Sequence, residues 1–283
     1  MDTLVEYAGP ADAGGPYTRL TLNSPHNRNA LSTALVEQLH QGLRDAAADP
    51  TVRAVVLGHT GGTFCAGADL SEASGDDPRG DRERGAAGRS GSPPSAFDLA
   101  AARGRELTAL LRAIVESPLP VIAAIDGHVR AGGFGLVGAC DIAVAGPRST
   151  FALTEARIGV APAIISLTLL PKMSARAAAR YYLTGATFGA PEAAEMGLIT
   201  LATDDVQAAV RKLLADVSRG SPQGLAASKA LTTAAVLEGF DRDAERLAEE
   251  SARLFVSEEA REGMLAFLQK RPPGWAPVDG GAN

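Results

Sequence analysis

Phe64-Cys65-Ala66-Gly67-Ala68-Asp69-Leu70 and Gly127-His128-Val129-Arg130-Ala131-Gly132-Gly133-Phe134-Gly135 are the two stretches on which the reading of this chain turns. Each comes after a short apolar run with strand character, residues 52–57 for the first and 121–125 for the second. Both are built from small residues, so their backbone can be approached closely. Two backbone N–H groups from separate loops, aimed at one carbonyl oxygen, stabilise the negative charge that the oxygen gains during reaction. If the two segments meet in space, the chain does chemistry beside a carbonyl.

Working outward, residues 17–22 alternate at period two and predict a strand, and 23–29 form a turn rich in Asn and Pro. Leu35, Val36, Leu39, Leu43 and Ala46 repeat at helical spacing, as do Leu99, Arg103, Leu107, Leu110, Leu111 and Ile114 before Pro118 and Pro120. Further short strands are expected at 142–145 and 198–202. Strands alternating with helices define an α/β architecture. From about residue 204 the signals are helical, with Pro222 as a break, so the chain divides into a core, 1–203, and a helical C-terminal region, 204–283. Residues 74–95 hold almost no large apolar side chain and predict a flexible surface loop, either a lid or a tolerated insertion.

The composition bounds the function. With 283 residues, 46% of them hydrophobic, the chain can bury a sizeable core, and a net charge of −6 argues against a nucleic-acid partner. Two cysteines, Cys65 and Cys140, make neither a disulfide framework nor a metal motif, and the four histidines lack metal spacing. No metal is expected. The first residues lack the basic and apolar regions of a signal peptide, and no run of about 18 apolar residues occurs. A cytoplasmic protein without membrane contact is expected.

Gly133-Phe134-Gly135-Leu136-Val137-Gly138 fits the dinucleotide pattern GxGxxG, with Glu155 at 20 residues beyond Gly135. A nicotinamide-dependent enzyme is therefore one alternative. Against it, the seven residues 126–132 separate these glycines from the preceding strand, whereas a dinucleotide turn opens directly from one. The absence of GxSxG weakens a serine-hydrolase reading.

Taken together, the segments resemble the crotonase family, the enoyl-CoA hydratase/isomerase family, from about Leu20 to Arg271. Asn23 to Ser32 resembles its opening motif, and the two glycine segments resemble its oxyanion segments, the second followed by Cys140-Asp141-Ile142. Phe151-Ala152-Leu153-Thr154-Glu155 with Gly159 and Pro162 is similar to a third motif, and Leu183-Thr184-Gly185 with Ala193-Ala194 and Gly197-Leu198 to a fourth. The resemblance implies a spiral of repeated ββα units with a helical C-terminal trimerisation region, in homotrimers often paired into hexamers. It implies an acyl-CoA substrate whose CoA is part of the substrate, with no tightly bound cofactor. Ala68 and Gly132 would donate to the thioester oxygen and Glu155 would be the acid/base. Ala66 would face the adenine end of CoA, and Phe267 and Lys270 would reach a neighbouring subunit's CoA. Gly67, Asp69, Leu70, Gly133 and Gly135 share the binding segments, Arg28 and Lys270 are candidates for the CoA phosphates, and His128 and Arg130 for polar groups of the acyl chain.

One departure matters. Hydratases of the family use two glutamates, and the position of the first is Gly135 here. By alignment neither Asp126 nor Asp141 replaces it. Adding water is easier with two carboxylates, whereas moving a double bond from the 3 to the 2 position needs one base. Three outcomes follow: hydration, isomerisation, or a specialised paralogue that binds acyl-CoA without turnover.

Overall fold

A computed structural model describes residues 2–69 and 94–277. Leu70 and most of the predicted surface loop lie outside the described residues. The strands are β1 (Val5–Ala8), β2 (Tyr17–Leu22), β3 (Ala54–His59), β4 (Thr63–Cys65), β5 (Val121–Ile125), β6 (His128–Arg130), β7 (Ile142–Ala145), β8 (Thr150–Ala152), β9 (Phe188–Gly189) and β10 (Leu201–Ala202). Among the described residues, the helices are α1 (Pro10–Ala13), α2 (Thr33–Ala48), α3 (Ala96–Glu116), α4 (Gly132–Ala139), α5 (Ser166–Leu169), α6 (Ala175–Thr184), α7 (Ala190–Glu195), α8 (Val206–Val217), α9 (Pro222–Phe255) and α10 (Glu258–Leu268). Short 3-10 turns occupy Pro25–Asn27 and Glu155–Ile158.

The strands form two sheets, a six-stranded one in the order β1-β2-β3-β5-β7-β10 and a four-stranded one in the order β4-β6-β8-β9. Successive pairs β3/β4, β5/β6 and β7/β8 each give one strand to each sheet, and within a sheet these strands run parallel. The chain thus winds as a spiral of ββα turns. β2 buries Thr18, Leu20 and Leu22 at period two, whereas β5 is buried on both faces and reads as an unbroken apolar run.

Two local expectations need correction. The second sheet's strands β4 and β6 lie within what reads as glycine loops, because a three-residue strand is too short to display a period. Of residues 198–202, only Leu201–Ala202 is a strand. Leu198 and Ile199 turn into the core, and Thr200 pairs with Ala143 through its N–H (2.8 Å) and its hydroxyl (3.1 Å).

The helices follow the sequence stripes. Ser32 caps α2, which buries Leu35, Val36, Leu39, Leu43 and Ala46. A capping box between Ser95 and Asp98 starts α3, whose Leu110, Leu111 and Ile114 are fully buried, although Leu99 stays exposed. The C-terminal helices are not peripheral. Val206, Val210 and Leu214 of α8 cover one face of the large sheet against Val56, Ile122 and Val144. α9, with Pro222 in its first turn, lies along α3. α10 returns to the turn at Glu155–Ile158, with Gly263 against the Ile158 backbone and Ala260 against Gly159.

Candidate active site

The first segment leaves β4 and is held by the turn before α2. The Ala66 N–H donates to the Arg28 carbonyl (3.1 Å), and the Leu31 N–H donates to the Gly67 carbonyl (2.7 Å), while the Leu31 carbonyl accepts from Asp69 (3.4 Å). In this parallel bridge Leu31 makes both bonds, so the N–H and carbonyl of its partner Ala68 point away from it. Asn27 donates to the Asp69 carboxylate at 3.0 Å. Asn29, fully buried, ties the turn down by donating to the carbonyls of Thr60 (3.1 Å) and Thr63 (2.8 Å) and accepting from the Ser24 N–H (2.7 Å). Asn29 belongs to the opening motif, yet its type alone did not reveal that it anchors the site.

The second segment meets the first. β6 is followed by Ala131, whose φ of 43° and ψ of −120° are unfavourable for a residue with a side chain, and α4 starts at Gly132. A Cβ built on Gly67 would stand 3.2 Å from the Gly132 nitrogen, and one built on Gly132 would stand 3.5 Å from the Gly67 Cα. Neither the Ala68 nor the Gly132 N–H has a hydrogen-bond partner among the described residues. The Gly132 N–H also opens α4, where the helix dipole adds positive potential.

The glycine pattern at 133–138 has a different explanation from dinucleotide binding. All six residues are buried inside α4. A Cβ at Gly133 would meet Cys65 at 2.8 Å, and one at Gly138 would meet Thr168 at 2.9 Å. These glycines let the helix sit close against β4 and α5, and they do not form a phosphate-cradling turn. Gly135 is likewise enclosed. A Cβ there would meet Ile165 Cγ2 at 2.8 Å and Leu111 Cδ1 at 2.9 Å, so the place of the missing acid is an apolar wall. The nearby aspartates are committed elsewhere. Asp141 binds Lys229 Nζ (2.8 Å) and the Val121 N–H (2.7 Å), and Asp126 binds Arg148.

Glu155 stands on the 3-10 turn that follows β8, with Gly159 (φ 77°) closing the turn and α10 packed behind it. It is 8% exposed, and its Oε2 has no hydrogen-bond partner among the described residues. Burial pushes its pKa up from 4.5 to about 7. A carboxyl group poised there can both take and return a proton near neutral pH. Beside this turn lies a pair that sequence reading missed. Ser166 Oγ donates to the Pro162 carbonyl (2.7 Å) and meets the Tyr182 hydroxyl at 3.2 Å. Nothing in their spacing, 16 residues apart on different helices, signals this contact.

The remaining candidates are placed as follows. His128 is exposed, with Nδ1 at 2.8 Å from Thr150 Oγ1. The Arg130 guanidinium donates to the carbonyls of Val129 and Thr150 and to Thr150 Oγ1. Both side chains are thus engaged with β8. Arg28 is exposed in a left-handed conformation, and Phe267 and Lys270 are exposed at the far end of α10.

A ββα spiral carrying two glycine segments in close contact and a buried carboxyl group defines the class of crotonase-fold enzymes. The chain matches the enoyl-CoA hydratase/isomerase family over residues 17–90 and 95–277, and it belongs to that family. It is an enzyme of the hydratase or isomerase type. Its fold is similar to the crystal structure of an enoyl-CoA hydratase from Mycobacterium avium, with 74% identity and a TM-score of 0.87 over 98% of this chain and 100% of that one. It is 34% identical to enoyl-CoA hydratase EchA19 of Mycobacterium tuberculosis over 90% of this chain and 91% of that protein. It is also 31% identical to 1,2-epoxyphenylacetyl-CoA isomerase of Escherichia coli, over 90% and 92%.

Proposed function

We propose that the enzyme forms an enolate from an enoyl-CoA thioester, with the Ala68 and Gly132 N–H groups holding the thioester oxygen and Glu155 moving the proton. The observation that carries this reading is Glu155 itself: buried, without a hydrogen-bond partner at Oε2 among the described residues, and with its pKa pushed up to about 7. Two N–H groups aimed at one oxygen favour the form in which charge has moved to that oxygen, and each is worth on the order of 3 kcal/mol in such sites. Hydration of a 2-enoyl-CoA and migration of a 3-enoyl double bond both pass through that enolate. Migration needs no group beyond Glu155, because one base can take the α-proton and return it at the γ-carbon.

In this reading the CoA is received by Ala66, Gly67, Asp69 and Arg28, and Phe267 and Lys270, both exposed, reach the CoA of a neighbouring subunit of a trimer. The reaction is tested by absorbance, since hydration removes the conjugated thioester band and migration creates it. Glu155→Gln is expected to abolish both. Turnover unaffected by Glu155→Gln would instead indicate a different centre, and binding of acyl-CoA without turnover of any enoyl-CoA would indicate a binding-only protein.

A further inference from the structure

A water that adds to the β-carbon has two hydrogens to place and one lone pair to aim. Two acceptors fix its direction, and one leaves it free to rotate. Glu155 supplies one acceptor, and the apolar wall at Gly135 supplies none.

The turn that builds this wall also fixes a second acceptor on a neighbouring helix. Ile165, whose Cγ2 occupies the space beside Gly135, is followed directly by Ser166. Ser166 has one hydroxyl hydrogen, and it is donated to the Pro162 carbonyl at 2.7 Å. In the 3.2 Å contact between Ser166 Oγ and Tyr182 Oη, the phenol is therefore the donor. With its proton held by Ser166, Tyr182 Oη offers only lone pairs to the rest of the site. Tyr182 is half-buried on α6, which packs against the Glu155–Ile158 turn. The two groups sense each other: burial, with a contribution from the Glu155 charge, pushes the Tyr182 pKa up to about 12, so the phenol stays neutral during turnover.

We infer that Tyr182, fixed as an acceptor by the chain of hydrogen bonds through Ser166 to Pro162, holds the attacking water together with Glu155 and takes over the water-holding task of the acid missing at Gly135. The inference rests on the reading of Glu155 as the proton-moving group. In the step itself the water oxygen bonds to the β-carbon, and the π pair of the double bond shifts toward the α-carbon and the thioester oxygen. One water proton passes to Glu155, which then delivers it to the α-carbon as the carbonyl re-forms. Tyr182 keeps its own proton throughout.

The test compares two reactions of the full-length enzyme. One is hydration of a short trans-2-enoyl-CoA. The other is exchange of the α-hydrogens of the saturated acyl-CoA with deuterium oxide, which needs Glu155 but no attacking water. Tyr182→Phe is expected to lower the hydration kcat about tenfold or more, with KM within about threefold, and to lower the ratio of hydration to exchange by a similar factor. Ser166→Ala, which frees the phenol proton, is expected to move the ratio the same way by a smaller factor. Thermal melting checks that each variant folds, and if Tyr182→Phe does not, Ser166→Ala decides. An unchanged ratio in a folded variant, parallel loss of both reactions, or a wild-type enzyme that exchanges without hydrating overturns the role of Tyr182. Those results leave Glu155 in place so long as Glu155→Gln abolishes exchange. If Glu155→Gln retains exchange, the reading of Glu155 fails and the role of Tyr182 falls with it.

Discussion

Gly67 and Ala131 are packed so closely that a methyl group built on Gly67 would lie 2.5 Å from the Ala131 Cβ. Gly67 has a φ of +94° and Ala131 a φ of 43°, so both backbones are in conformations that suit glycine. This contact sets the Gly67–Ala68 and Ala131–Gly132 peptides side by side, and with them the two N–H groups proposed to hold the thioester oxygen.

Gly67→Ala is therefore expected to harm both stability and catalysis. Positive φ and the overlap together cost on the order of 1–3 kcal/mol. Displacement of one N–H group costs about a hundredfold in kcat. Melting curves and steady-state kinetics check this, and a variant with wild-type kcat would show that the contact does not set the geometry.

The pH profile follows from Glu155. Acting first as a base, it must be ionised in the free enzyme, so kcat/KM is expected to rise with pH through about 7 and then level off. Glu155→Gln is expected to lose about a hundredfold or more and, with it, that limb of the profile. A wild-type profile flat from pH 5 to 9, measured with a stable saturating buffer series (roughly that range brackets the group), would assign the proton transfer elsewhere.

The same burial makes Glu155 a pH-dependent liability to the fold. Its folded pKa of about 7 lies above the ordinary 4.5, so the folded state binds the proton more tightly than the unfolded one. Below 4.5 both states are protonated and no penalty applies. As pH rises from 4.5 to about 7, stability falls by on the order of 3 kcal/mol, and above 7 the loss is constant. Glu155→Gln removes this slope. Denaturant unfolding at pH 4.5 and pH 8 is expected to show the variant gaining on the wild type at the higher pH. An equal difference at both would mean that the carboxyl is not desolvated in solution.

Restoring an acid at Gly135 is expected to fail. Leu111 and Ile165 stand within 2.9 Å of any Cβ there, and the site is apolar. Gly135→Ala is expected to cost about 1–3 kcal/mol by overpacking. Gly135→Glu adds the cost of a buried carboxyl group and is expected to lower activity. Higher hydratase activity in a folded Gly135→Glu variant would show that the wall yields.

Much of this was legible in the residues. The stripes of α2 and α3 are long enough to show a period, β3 and β5 stand out as apolar runs, and the order of the motifs pointed to the family. The second sheet was hidden because β4, β6 and β8 are three residues long. The GxGxxG match was already weak for want of a strand directly before it, and its glycines serve instead to let a helix pack tightly. Tyr182 and Ser166 carried no signal, since their meeting depends on how α6 folds back over α5.

The sequence by itself determined that two glycine segments and Glu155 belong to one kind of chemistry, because those residue types in that order suit few other tasks. It also determined that the first acid is absent, because Gly135 has no side chain. Only the tertiary structure decided what the absence means. Close packing of Leu111 and Ile165 turns the position into a wall, and burial of Glu155 raises its pKa. Both effects depend on the surroundings of a residue after folding, and those surroundings come from parts of the chain far away in sequence.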